Sequence, residues 1–184
     1  MEDFRCKNFI ELKSRRYQRL AFGIIKNMRN ILILLTTVIF IFGCNKSSNI
    51  EINLQQSENF LEQNLLNSEV VEIEPGLQYM ILESSQSDAS SPKLEDIITA
   101  DFHGTLMDGS VFWSSIEIGE PLTIELSQLI PGCQKLISRM HEGDFWRVFI
   151  HPDLAYGEEG RPTIPPNSVL TFDIKLHAIQ QEEL

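Results

Sequence analysis

Hydrophobic and polar positions change rhythm twice along the chain. Ile31 to Phe42 is a run of twelve residues without a charge. Residues 45 to 75 are rich in Asn, Gln, Ser and Glu, with Phe60, Leu61, Leu65 and Leu66 spaced to form one helical stripe, which predicts a short amphipathic helix on a tether. After Pro75-Gly76 the pattern becomes short runs of alternating polarity, a strand signature. Leu77 to Leu82 is the first such run, and Ser84 to Pro92 reads as a loop. Ile98, Ala100, Phe102, Gly104 and Leu106 share one face of the next strand, which Asp108-Gly109 turns tightly into Val111 to Ser115. Pro121 to Leu126, Phe145 to His151 and Val169 to His177 follow as strands, the last with Leu170, Phe172, Ile174 and Leu176 inward. Pro131 to Met140 is the good helical window, with Pro131 suited to its start and Gly143 to its exit. Five or six strands and one short helix predict an α+β domain in which an antiparallel sheet wraps the helix.

Charge sharpens the reading of the front. Residues 1 to 43 carry eight of the 15 basic side chains and three of the 26 acidic ones, leaving seven basic and 23 acidic residues for the rest. A basic lead before a twelve-residue apolar run fits an export signal and falls short of the roughly 20 residues that span a bilayer. The run ends in Ile41-Phe42-Gly43-Cys44 and a polar stretch, which resembles the bacterial lipobox. That resemblance implies lipid on Cys44 and attachment to a membrane at the cell envelope. Met28-Arg29-Asn30 opens a signal of ordinary length, so the expected organisation is an upstream extension over 1–27, a signal peptide over 28–43 and a tether over 44–75. A domain over 76–180 and a tail over 181–184 complete it.

The overall balance, a formal net charge of -11 with 42% hydrophobic residues, argues against disorder and against a general nucleic-acid binder. Three cysteines are too few for a disulfide scaffold, and Cys133 is the one thiol left after Cys6 is removed and Cys44 acylated. Four scattered histidines form no ligand cluster, so neither metal nor cofactor is expected.

Three segments exceed a generic β-domain: Gly104 to Phe112, Leu129-Ile130-Pro131-Gly132, and Pro152 to Gly157 with Ile164-Pro165-Pro166-Asn167. In this order they resemble the FKBP-type peptidyl-prolyl cis-trans isomerases from about Leu77 to Ile179. The signal and the phrase Val71 to Tyr79 look most like the macrophage-infectivity-potentiator (Mip) branch of Gram-negative bacteria. The resemblance implies an FKBP-like half-barrel and isomerisation of X-Pro bonds in proline-containing polypeptides, assisting protein folding at the envelope. It implies a proline pocket of Phe102, Phe112, Leu122, Leu129, Ile130, Cys133, Tyr156, Ile164 and Phe172, with the Tyr156 hydroxyl and the Ile130 N–H as carbonyl donors. It also implies binding of an FK506- or rapamycin-like macrolide. Taken singly, each apolar member reads better as core. Tyr156 differs, because an aromatic with a polar tip in a Gly- and Pro-rich loop has little core to fill.

The chain departs from the family pattern where Cys133 replaces a Trp at the pocket floor, Trp113 an Asp, Ile118 an Arg and Phe102 a Tyr. Replacing both sides of a polar network by apolar groups strands no partner, so the fold is expected to survive while ring binding weakens. A weakly active or inactive FKBP-fold binding module is therefore the alternative to an enzyme. If the loop Glu158 to Thr163 overhangs the cleft, its Glu158-Glu159 pair should disfavour acidic peptides.

Overall fold

The alternation from Leu77 onward builds one antiparallel sheet, because each run buries every second side chain and leaves its neighbours to the outer face. The structure is a computed structural model and describes residues 45–85 and 90–181. The expected upstream extension and signal peptide, Cys44, residues 86–89 of the expected loop and the last three residues lie outside it. Among the described residues, no helix is long and apolar enough to cross a membrane.

Seven strands form: β1 (Val71–Glu74), β2 (Leu77–Glu83), β3 (Ile97–Thr105), β4 (Val111–Ser114), β5 (Leu122–Glu125), β6 (Phe145–Ile150) and β7 (Leu170–Gln180). They run in the order β1-β2-β6-β7-β3-β4, and β5 pairs the first half of β3 beside β4. This is one strand more than the alternation predicts. The addition is β1, a four-residue edge strand with both termini of its pattern near the surface, joined to β2 through Pro75-Gly76. Too short to show a period, it hides in the polar stretch before that break. Gly76 makes the turn at φ 76°.

The expected faces are otherwise the observed ones. Ile98, Ala100 and Phe102 on β3, and Leu170, Phe172, Ile174 and Leu176 on β7, are buried, and His103 pairs with Asp173 in register on the outer face. At the β3–β4 hairpin Asp108 Oδ1 accepts from the Ser110 amide at 2.9 Å and its hydroxyl at 2.6 Å, and Gly109 supplies φ 82°.

Helices occupy both sides. The α1 helix (Asn45–Asn64) lies on the outside; α2 (Ser115–Ile118) is a single turn that replaces the expected end of the β4 run; α3 (Pro131–Ile137) crosses the concave face. Leu136, Ile137 and Met140 bury completely against Leu77, Val148, Ile150 and Leu176. A side chain at Gly132 would meet Ile150 Cγ2 at 2.4 Å, so only glycine lets α3 approach the sheet this closely.

The α1 helix is docked rather than free. Leu61, with Phe60 beside it, packs on Val70, Phe149 and Val169 in a second small core. Polar groups do the rest: buried Ser57 donates to Asn167 O at 2.7 Å and accepts from the Val169 amide at 2.9 Å. Asn53 Nδ2 donates to Pro166 O and, at 3.1 Å, to Ser168 Oγ. Buried Gln78 gives its Nε2 to Leu61 O at 3.1 Å and accepts from Asn64 at 2.9 Å. The apolar stripe stops at Leu61. Leu65 and Leu66 fall beyond the helix end, where Asn64 and Asn67 favour a turn, and Leu66 is 86% exposed.

Candidate active site

Where β3, β4 and β7 curve over the start of α3, the inward side chains do not all fill the core. They leave a cleft of about 500 Å³. Its walls are aromatic. Phe172 meets Phe112 edge to face at 5.3 Å and Phe102 at 6.3 Å, and Trp113 lies tilted against Phe102 at 6.1 Å. Gly104 makes this possible: a Cβ there would fall 2.6 Å from Phe112 Cζ and 2.9 Å from Phe172 Cε1.

All nine side chains expected in the proline pocket line this one cleft: Phe102, Phe112, Leu122, Leu129, Ile130, Cys133, Tyr156, Ile164 and Phe172. Leu129 and Ile130 arrive on the extended link between the 3-10 turn Leu126–Gln128 and α3. Cys133, one turn into α3, is 2% exposed, and burial pushes its thiol up to about 12.

Tyr156 and Ile164 are delivered by one loop with a fixed backbone. The Gly160 amide donates to Tyr156 O at 3.1 Å, and Arg161 and Ile164 exchange backbone hydrogen bonds at 2.7 and 2.9 Å. Gly160 holds φ 62° with Ile164 O only 2.4 Å from where a Cβ would stand, so a side chain is doubly excluded there. The far end is tied back by the Asn167 amide, which donates to Gly157 O at 2.8 Å.

The two expected carbonyl donors are among the unspent donors of the cleft. Among the described residues, nothing accepts the Ile130 backbone N–H, and nothing pairs with the Tyr156 hydroxyl. The Tyr156 ring instead carries the Arg161 guanidinium, 4.9 Å from its centroid. No carboxylate lines the described cleft. Trp113 occupies that wall, and Ile118 points away, 66% exposed. The site is thus an aromatic-walled slot that holds the two expected donors and one cation, and no carboxylate among the described residues.

Four lining residues were not expected: Trp113, Gln128, Arg161 and Thr163. Trp113 follows Phe112 directly, so strict alternation puts them on opposite faces. The register shift of the β3–β4 pair between Gly104 and Thr105 re-aims the short edge strand, and both reach the cleft. Gln128, Arg161 and Thr163 sit in turns, where no period reports direction. Glu158 and Glu159 are exposed and do not line the cleft, whereas Arg161 and Thr163 of the same loop do.

Comparison with known proteins agrees with this geometry. Residues 88–177 match the profile of the FKBP-type peptidyl-prolyl cis-trans isomerases. The chain is 37% identical over 131 residues to peptidyl-prolyl cis-trans isomerase Mip of Coxiella burnetii, covering 71% of this chain and 56% of that one. It is also 37% identical over 133 residues to outer membrane protein MIP of Legionella longbeachae, with 71% and 56% covered. The crystal structure of FkpA from Escherichia coli superposes with a TM-score of 0.70 at 29% identity, covering 83% of this chain and 70% of that one. The chain spans little more than half the length of these curated relatives. A half-open antiparallel sheet around one helix, an aromatic cleft over that helix's first turn, and a matching profile through both make the chain a member of the FKBP-type peptidyl-prolyl cis-trans isomerase family, in its Mip-like branch.

Proposed function

We propose that the domain isomerises X-Pro bonds in polypeptides of the cell envelope, held at a membrane by lipid on Cys44. Rotation about an X-Pro bond crosses roughly 18–20 kcal/mol because amide resonance is lost in the twisted state. No bond breaks, so neither nucleophile nor acid is required. A dry pocket disfavours the charge-separated planar amide relative to the twisted one, which is less delocalised. Phe102, Phe112 and Phe172 would grip the proline ring above Cys133. The Tyr156 hydroxyl would hold the carbonyl of the residue before proline, and the Ile130 N–H a second carbonyl.

The observation that carries this reading is the pair of unpartnered donors facing into one aromatic cleft. Isomerisation of a short Leu-Pro peptide tests it. Because the Tyr156 hydroxyl has no partner among the described residues, Tyr156→Phe should cost about 1 kcal/mol of transition-state binding, a roughly fivefold loss of kcat/KM, with no change in Tm. Cys133→Trp should raise turnover by restoring an aromatic floor, and should tighten an FK506- or rapamycin-like macrolide.

The small floor at Cys133 and the wall at Trp113 favour a second reading, a binding module that retains the slot without turnover. A folded protein that binds proline peptides, detected through Trp113 fluorescence, but does not accelerate their isomerisation would establish it.

A further inference from the structure

We infer that Arg161 is a specificity-determining residue that favours an acidic side chain immediately before the proline. This rests on the isomerase reading and deepens it.

Arg161 is the one charged side chain among the described residues that line the cleft. Its backbone is clamped by the two hydrogen bonds to Ile164, and its guanidinium lies over the Tyr156 ring at 4.9 Å. A cation–π contact does not consume the guanidinium N–H groups as hydrogen-bond donors, and among the described residues none of them has an acceptor. No described carboxylate comes within ion-pair distance of it, and Glu158 and Glu159 of the same loop face solvent. The cation is therefore placed beside the tyrosine and unspent among the described residues.

The proposed role of Tyr156 then fixes which peptide group it meets. If the tyrosine hydroxyl holds the carbonyl of the residue before proline, the side chain of that residue emerges beside the same ring, under the guanidinium. A carboxylate there can take a two-pronged, charge-assisted hydrogen bond, and the apolar wall keeps competing water to one side. The field of the rest of the molecule opposes this, since the formal net charge is -11. Removing the cation should therefore reverse the preference for acid rather than merely weaken it.

The test uses the full chain in detergent and three peptides that differ only in Glu, Gln or Lys before proline. Arg161 is solvent-exposed, so the pair should be modest: kcat/KM for Glu about two- to fivefold above Gln at low salt, approaching parity in high salt. Arg161→Gln should bring the Glu-to-Gln ratio below one, and Arg161→Lys should retain part of the preference. Dissociation constants for the same peptides, read from Trp113 fluorescence, give the ratio independently of catalysis. A wild-type ratio at or below one, or a ratio that Arg161→Gln leaves in place, overturns the inference. Absent turnover with the binding ratio intact refutes the isomerase reading and leaves the role of Arg161 standing. Failure to bind any of the peptides refutes both.

Discussion

The loop from Ile164 to Val169 is held from its two ends by opposite chemistry. At its start Ile164, 5% exposed, closes the wall of an aromatic cleft by shape and contact alone. A few residues on, Pro166, Asn167 and Ser168 accept hydrogen bonds from Asn53 and Ser57 of α1, the Val169 amide donates to the Ser57 hydroxyl, and the Asn167 side chain donates to Ile50 O at 3.3 Å. The two regions fail differently. An apolar wall loses energy in proportion to the atoms removed, whereas a buried polar seam leaves stranded donors and acceptors when one member goes. An apolar residue such as Cys133 or Trp113 in the slot strands no carboxylate or cation among the described residues, whereas a change in the seam strands its partners.

The largest effect should come where cleft and core coincide. Phe172 is 6% exposed and contacts both Phe102 and Phe112 edge to face. Phe172→Ala should cost about 3–5 kcal/mol of stability, read from the denaturation midpoint, and weaken proline-peptide binding at the same time. A variant that keeps its midpoint while losing binding would mean that the cleft is separate from the core, and the distinction between regions would have to be redrawn.

Ser57→Ala is the next test and addresses the seam. The change removes one oxygen and leaves the Val169 amide and Asn167 carbonyl without their partner in a fully buried place. Destabilisation of about 1–3 kcal/mol is expected, more than the volume lost can explain. KM should rise as well, because Ile164 rides on the same loop. A drop in Tm with unchanged KM would show that α1 supports the fold but not the cleft.

These two regions also differed in how far the sequence revealed them. Phe102 and Phe172 stand at inward positions of long alternating strands, so both their burial and their place in the cleft followed from period and motif. Asp108-Gly109 and Pro131 announced their turn and helix start by residue type. Nothing comparable marked the seam. Asn53 and Ser57 are ordinary polar residues in a polar stretch, and a hydrogen-bond match across more than a hundred residues of sequence has no period to detect. The same blindness covered Arg161 and Thr163, whose direction is set by left-handed Gly160 and the Arg161–Ile164 bridge rather than by alternation. Trp113 was hidden by a bulge that overrides the two-residue rhythm.

Alkaline pH gives the smallest and most selective probe, because Cys133 is the floor on which the apolar side of the comparison rests. Burial raises its thiol from 9.0 to about 12 in the folded protein. Between those values the unfolded chain releases the proton and the folded chain keeps it, so the unfolded state binds fewer protons and stability falls as pH rises. The contribution is complete below pH 9 and is lost at about 1.4 kcal/mol for each further pH unit. Comparing urea midpoints at pH 7 and pH 10, wild type should lose about 1.4 kcal/mol more than Cys133→Ala, which lacks the buried thiol. Native Cys133 should also resist alkylation by iodoacetamide at pH 8 and react fully once unfolded. Equal alkaline losses in the two proteins, together with rapid native alkylation, would mean that water reaches the cleft floor. The dry pocket on which the proposed catalysis depends would then not exist.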